Sequence, residues 1–484
     1  MRKNRSVIPV VVWLFSVMPN AVVAMDVHAD ERSVMQGSEG KTSELVDEGA
    51  EWFFTGRAME EYRFRRATDL VLDDGLETPK AENDHDLRLV LSGNIWESTD
   101  RFSADIAMSV WYDLDGGPKP GQPTSFGSIS DYRAPNAWDS YLDVYSLNAE
   151  YSPAALPLVI RAGRQTPEIG RRLTFDGLSA AWRPRVPSVD LQLSGGRTVH
   201  FFELSDNYFE DWMASAAAVI RFIPSFRIEM DYLFTSEMTT SNKRFVGHDA
   251  GITAAYRFRD LLFLKAFVRS LNGDLSRAGG RGKLELHKIG FGVEAGAESQ
   301  PLTLREVNEA DDPYFAIMGE SLPYIRTNAS VWKDFDTRAG IYGFRVGWNE
   351  RRLLRDASTP FNRNFGRVYL ELHAFDIGTK GPFITAVAEY HYALEDDPQN
   401  EENQFSVGGS AGYRGDKLDA LIGTNFYKYK YDYYSDVEER SNVRVYFGEA
   451  KYKILKWLSA GVRYELERFD RDLHTLTVQL TQTY

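Results

Sequence analysis

The chain has 484 residues, a formal net charge of -14 and no cysteine, and 13% of its residues are aromatic. Without cysteine there is no disulfide framework, no thiolate metal site, no Cys nucleophile and no C-x-x-C-H attachment of a c-type haem. The acidic balance makes the chain a poor partner for nucleic acid. A mean hydropathy of -0.38 argues against a bundle of membrane helices. It permits strands that alternate polar and apolar residues.

In chain order, the N-terminus reads as a secretory signal. Arg2, Lys3 and Arg5 form a basic stretch, Ser6 to Met18 an apolar one, and Val22-Val23-Ala24 a small-residue cleavage site. Cleavage is expected after Ala24, with Ala29 as the alternative, so 1–24 is the signal peptide. The apolar stretch is too short for a membrane anchor and is interrupted by Pro9 and Pro19. Residues 25–50 are polar, acidic and aperiodic, and read as a periplasmic N-terminal segment. With only this short segment ahead of the first strand, no plug domain is expected.

From Glu51 to Tyr484 the pattern changes to alternating segments of about 10–14 residues bounded by turn residues. Residues 101–114 set Phe102, Ala104, Ile106, Met108, Val110 and Tyr112 against Ser103, Asp105, Ala107, Ser109, Trp111 and Asp113. Residues 226–237 repeat this with Ile228, Met230, Tyr232 and Phe234 against Arg227, Glu229, Asp231 and Leu233. In 366–376, Val368, Leu370, Leu372 and Ala374 oppose Arg367, Tyr369, Glu371 and His373. Successive side chains of a strand point to opposite faces, so each segment has one apolar and one polar wall. Soluble strands average about five or six residues, whereas a tilted strand needs about 9–11 to cross hydrocarbon. The segments match the second length.

Short connections are expected near 98–100, 152–155, 184–187, 224–225, 259–260, 334–338, 377–381, 415–416 and 454–456. Longer ones are expected near 66–85, 115–137, 198–210, 238–246, 273–282, 308–323, 350–365, 395–403 and 432–440. Short turns at one end and long loops at the other are the habit of membrane barrels. Parity then requires an extra strand near 301–307, where Leu302, Leu304 and Val307 alternate. The expected fold is an all-β transmembrane antiparallel β-barrel over 51–484 with about 22 strands, within a range of 18–22. The last segment, His474 to Tyr484, alternates and ends on an aromatic residue. That resembles the C-terminal signal read by the outer-membrane assembly machinery, although Gln482 stands where a hydrophobic residue is usual. The implied location is the outer membrane of a Gram-negative bacterium, with its lipid and lipopolysaccharide as surroundings.

Residues 156–197 hold Arg161, Arg164, Arg171, Arg172, Arg183, Arg185 and Arg197 and no lysine. The run Arg161-Ala162-Gly163-Arg164-Gln165, followed by Phe175-Asp176-Gly177, resembles a pattern of alginate-export-type barrels over about 20 residues. The resemblance implies a channel favouring anionic solutes or polysaccharide. Alternation places Arg161 and Gln165 in the lumen, Ile160 toward lipid, and Arg164 near the interface end. The candidate selectivity residues are Arg161, Gln165, Arg183, Arg197, Arg227, Glu229, Arg367 and Glu371. The alternative is an arginine–carboxylate ladder bracing the wall, with Glu168, Asp176 and Asp190 as partners.

No catalytic motif stands in a supporting context, so no enzyme, metal or cofactor is expected. His373 and His391 fall on neighbouring strands, but pairing sets them opposite Thr385 and Arg367, with no serine in place. Acidic connections at 395–402 and at Asp69, Asp73, Asp74 and Glu77 could bind divalent cations or stand solvated. The expected function is a channel or export pore for a hydrophilic solute. The alternative is a sleeve around a lumen-filling or periplasmic partner, resembling porin–multihaem cytochrome conduits.

Overall fold

The computed structural model describes residues 52–68, 81–99, 101–116, 138–184, 189–199, 211–238, 244–302, 322–355, 364–394, 404–431, 439–469 and 472–484. The expected signal peptide, the 25–50 segment and the acidic connections lie outside them. Twenty-two strands run from β1 (Trp52–Thr68) to β22 (Asp472–Thr483), each antiparallel to its chain neighbour. The sheet closes because β1 also pairs with β22, from Arg57↔Thr483 to Thr68↔Asp472. Gly56 and Tyr484 exchange both backbone hydrogen bonds at the seam, at 3.0 and 2.7 Å. Closure leaves no edge strand with unpaired backbone groups, which is the condition for a sheet to span lipid.

Following paired residues once around the wall returns to β1 about 24 residues farther along the strand. With 22 strands, that stagger corresponds to a tilt of about 37° and, for a circular section, a radius of about 21 Å. Wall side chains cannot fill a lumen of that width.

The two faces are distinguished by what they carry. One row on β9 (Phe226–Met238) holds Ile228, Met230, Tyr232 and Phe234, and the other holds Arg227, Glu229, Asp231 and Leu233. The apolar rows of neighbouring strands are in register, as in Ile228↔Ala254, Met230↔Ile252 and Tyr232↔Ala250. Rings bound this apolar belt. At the end with the short turns stand Phe54, Phe102, Tyr151, Trp182 and Phe258. At the end with the longer connections stand Tyr62, Tyr112, Phe234, Phe405 and Tyr464. On β9 the eight residue steps from Phe226 to Phe234 rise about 21 Å at the stated tilt, close to the apolar band of outer-membrane barrels. A carboxylate interrupts the belt at Glu60, whose cross-strand partners are Leu89 and Leu480.

Three expected placements are corrected. Residues 273–282 are not a long connection: β11 (Leu262–Leu271) and β12 (Asp274–Leu286) are joined by the two residues Asn272-Gly273, at φ 52° and 91°. Two positive φ values in a two-residue loop match the twist of the flanking strands, and Asn-Gly is the sequence that adopts them cheaply. The run Arg277-Ala-Gly-Gly-Arg-Gly282 looks loop-like but lies within β12. The strand that parity demanded is therefore β13 (Phe291–Gln300), not a segment at 301–307. Leu304 and Val307 lie outside the described residues. β15 also continues to Leu353, which puts Arg351 on the wall rather than in a connection.

Candidate functional site: a segment folded into the lumen

β5 (Leu158–Gln165) and β6 (Phe175–Trp182) are the shortest strands of the wall, at eight residues each. The connection between them, 166–174, falls inside the arginine-rich stretch, where no run of turn residues marks it off in the sequence. It turns inward and lies along the polar face of β7 (Val189–Thr198), β9 and β10 (Arg244–Phe258).

The seating is both polar and apolar. The Ile169 amide donates to Gln192 Oε1 at 3.1 Å, and the Gly170 amide donates to Glu229 Oε1 at 3.2 Å. Arg171 pairs with Asp249, which also pairs with Arg269; Arg269 reaches Asp231 at 2.6 and 2.8 Å. Gly251 makes room for that guanidinium, since a Cβ there would stand 2.5 Å from its Nη2. On the other side, Glu168 bridges Arg161, at 2.7 Å, and Arg183. Beneath lies an apolar cluster of Phe175, Met213 and Leu233, with Leu173 packed against it. Gly170 has φ 88°, and a Cβ on it would meet the Asp231 Cβ at 2.7 Å. Only glycine fits that close approach in that conformation.

The sequence candidates divide as follows. Arg161 faces the lumen and pairs with Glu150 as well as Glu168. Gln165 is buried on the same face, donating to the carbonyls of Arg161 and Gly177 and accepting from Ser179. Arg183 continues the inward row of β6. Glu229 holds the segment, while inward Arg227 has no ion pair among the described residues. Arg367 pairs with Glu389 and lies over Tyr369 at 5.0 Å, and Glu371 is exposed on the same row. The β16–β17 register sets Arg367 against His391 and His373 against Thr385, as alternation about that turn requires.

Arg197 is a correction. It shares its row with the outward, exposed Leu191 and Leu193 and stands opposite Asp176, so it does not line the lumen. Asp176 in turn takes both ends of Arg164, at 2.7 Å each, on the outward face at the loop end of the belt. Period-2 alternation from Leu191 and Leu193 puts Arg197 outward. Of the three carboxylates named for the ladder, Glu168 and Asp176 hold the arginines of the stretch, whereas Asp190 pairs with Arg221 at 2.6 Å.

The sequence reading also missed a basic row on β14 (Tyr324–Thr337) and β15 (Gly340–Leu353). Arg326 and Arg351 are directly opposed on the inward face. Arg351 lies over the Tyr324 ring at 4.8 Å, and its Nε is buried without a hydrogen-bond partner among the described residues. Arg345, on the same face, lies over Trp332 at 5.5 Å. Like charges directly opposite oppose each other, and stacking on rings only partly offsets this. Alternation within Ile325-Arg326-Thr327 carried the signal for the first; the second was hidden by the misplaced strand end.

Among the described residues no group of three or more acidic or histidine side chains is placed to hold a metal, and no helix is long and apolar enough to cross a membrane. The wall and its faces define a closed antiparallel β-barrel of 22 strands. No protein-family model matches the chain, and no curated protein matches it in sequence. Solved structures are similar. One is the P pilus usher (PapC) translocation pore, with TM-score 0.47 and 8% identity, covering 88% of this chain and 99% of that one. Another is Pseudomonas aeruginosa OpdK with vanillate, with TM-score 0.41 and 12% identity over 89% and 98%. A BenF-like porin from Pseudomonas fluorescens Pf-5 gives TM-score 0.41 and 9% identity over 89% and 99%.

Proposed function

We propose that this chain is an outer-membrane channel, narrowed by its own 166–174 segment, that passes a hydrophilic anionic solute. The observation that carries the reading is the pairing of an apolar belt outside with a tethered segment and a charged wall inside. A belt about 21 Å high bounded by rings fits lipid, and the expected signal peptide and the Tyr484 ending fit export and barrel assembly. A segment held by ion pairs and hydrogen bonds along one arc of the wall narrows the pore without closing a barrel of about 21 Å radius.

Anion preference is supported by inward arginines without an ion pair among the described residues, Arg227, Arg326 and Arg351 among them. Guanidinium groups present a planar fork that suits carboxylates. The sleeve reading is less well supported, because the chain itself already occupies part of the space a partner would fill. The test is reconstitution in a planar bilayer under a salt gradient. The expected result is a steady conductance with an anion-selective reversal potential that weakens at high salt. Absence of conductance from a folded, inserted barrel would overturn the proposal.

A further inference from the structure

The outward face carries one arrangement three times. Tyr62 and His85, Tyr232 and His248, and Tyr464 and His474 each place the phenol oxygen 2.7 Å from imidazole Nδ1 across adjacent strands. In each, tyrosine stands on a strand running toward the loop end and histidine on the next strand returning, two residues beyond the register partner. A phenol that donates to Nδ1 leaves Nε2 as the donor of the ring. All three pairs lie at the loop end of the apolar belt, where headgroups meet the wall.

At the seam the pair borders a shallow, open depression whose floor is apolar. This depression, of about 310 Å³, is lined by Phe64, Arg66 and Thr68 of β1, Tyr464 of β21 (Leu458–Arg468), and His474 and Leu476 of β22. Its rows are ordered by register. Phe64 pairs with Leu476, which pairs with Tyr464, giving an apolar floor toward the middle of the belt. One row farther out, Arg66 stands directly opposite His474. Arg66 is exposed and has no ion pair among the described residues. Asp472, the next acid on this face, is held by Arg468 at 2.9 and 3.0 Å.

We propose that this groove binds a phosphate-bearing lipid of the leaflet at the loop end. Arg66 and His474 Nε2 take the phosphate, and an acyl chain lies along Phe64, Leu476 and Tyr464. The inference rests on the reading of the wall as membrane-embedded. A forked, permanently charged donor beside an imidazole whose Nδ1 is engaged by a phenol recognises a phosphate monoester, and the apolar row beneath separates a lipid from free phosphate.

The test is native mass spectrometry of the full-length barrel in detergent. One probe is a bisphosphorylated glycolipid, and the other is the same glycolipid after removal of its phosphates. The wild-type chain is expected to retain one phosphorylated lipid in preference to the other. Arg66→Gln is expected to lower that retention at least about tenfold, Arg66→Lys less, and His474→Gln by a smaller amount. Heat-modifiable mobility on gels reports folding of each variant, and bilayer conductance is expected to be unchanged. Equal retention of the two lipids, full retention by folded Arg66→Gln, or displacement of the lipid by inorganic phosphate overturns the inference while conductance stands. A wild-type barrel that neither inserts nor conducts overturns the membrane reading, and this inference with it.

Discussion

Replacing Gly170 by alanine should unseat the 166–174 segment. The added Cβ would lie 2.7 Å from the Asp231 Cβ, and the residue would be held at φ 88°. A left-handed backbone at a non-glycine residue costs about 1–2 kcal/mol, and the contact adds about another 1. Against this stand the ties of the segment. Two hydrogen bonds from backbone amides contribute about 1 kcal/mol each. The Arg161–Glu168, Arg183–Glu168 and Arg171–Asp249 pairs are partly exposed and contribute about 0.5 kcal/mol each after screening. The seated state is then favoured by about 3–4 kcal/mol in the native chain and by about 1 in the variant. That raises the released fraction from well under 1% to about 15%. Single-channel recording should show a quiet native level and, for Gly170→Ala, added flicker to a higher conductance. A folded Gly170→Ala barrel with unchanged conductance and noise would refute the seating energetics.

Replacing Arg161 and Arg183 by Gln removes both partners of Glu168. The bracing geometry predicts a lower unfolding temperature, whereas a selectivity role predicts a reversal potential moved toward cations at low salt; measuring both separates the roles. Replacing Glu60 by Leu should raise stability by up to about 2 kcal/mol in a lipid-refolding titration, since its neighbours on the lipid-facing row are Leu89 and Leu480. A loss of stability would mean that the carboxylate has a partner outside the chain. Deleting Tyr484 removes the two backbone bonds to Gly56 that close the seam, and outer-membrane levels of folded protein are expected to fall sharply. Epitope tags at 115–137 and 395–403 are expected to be reached by antibody on intact cells, and tags at 152–155 and 415–416 are not; equal exposure would defeat that orientation.

Much of the wall was legible in the sequence because its determinants are local. A strand has a two-residue period, so Ile228, Met230, Tyr232 and Phe234 declare a face without reference to any other strand. A tight hairpin transmits register to its partner, which is why Arg367 could be set against His391 from the turn alone. The same locality explains the error at 273–282, where glycines in β12 imitate a loop and the Asn272-Gly273 turn was passed over. Alternation of short and long connections fixes the parity of the strand count but not the place of each strand.

The seating of 166–174 was decided only in three dimensions. Gly170 meets Glu229 and Arg171 meets Asp249, partners 59 and 78 residues away on strands that do not adjoin β5 or β6. No period links such positions, because the stagger accumulated across several strand pairs brings them to one height. Closure of the barrel is of the same kind: Thr68 reaches Asp472 across 404 residues. The Tyr–His pairs and the Arg66 groove depend on it in turn, since β1, β21 and β22 become neighbours only when the sheet meets itself. Alternation thus determined from the sequence alone that a two-faced wall would form. Stagger and closure, which are properties of the whole ring of strands, decided which charges meet inside it and which residues share a groove outside.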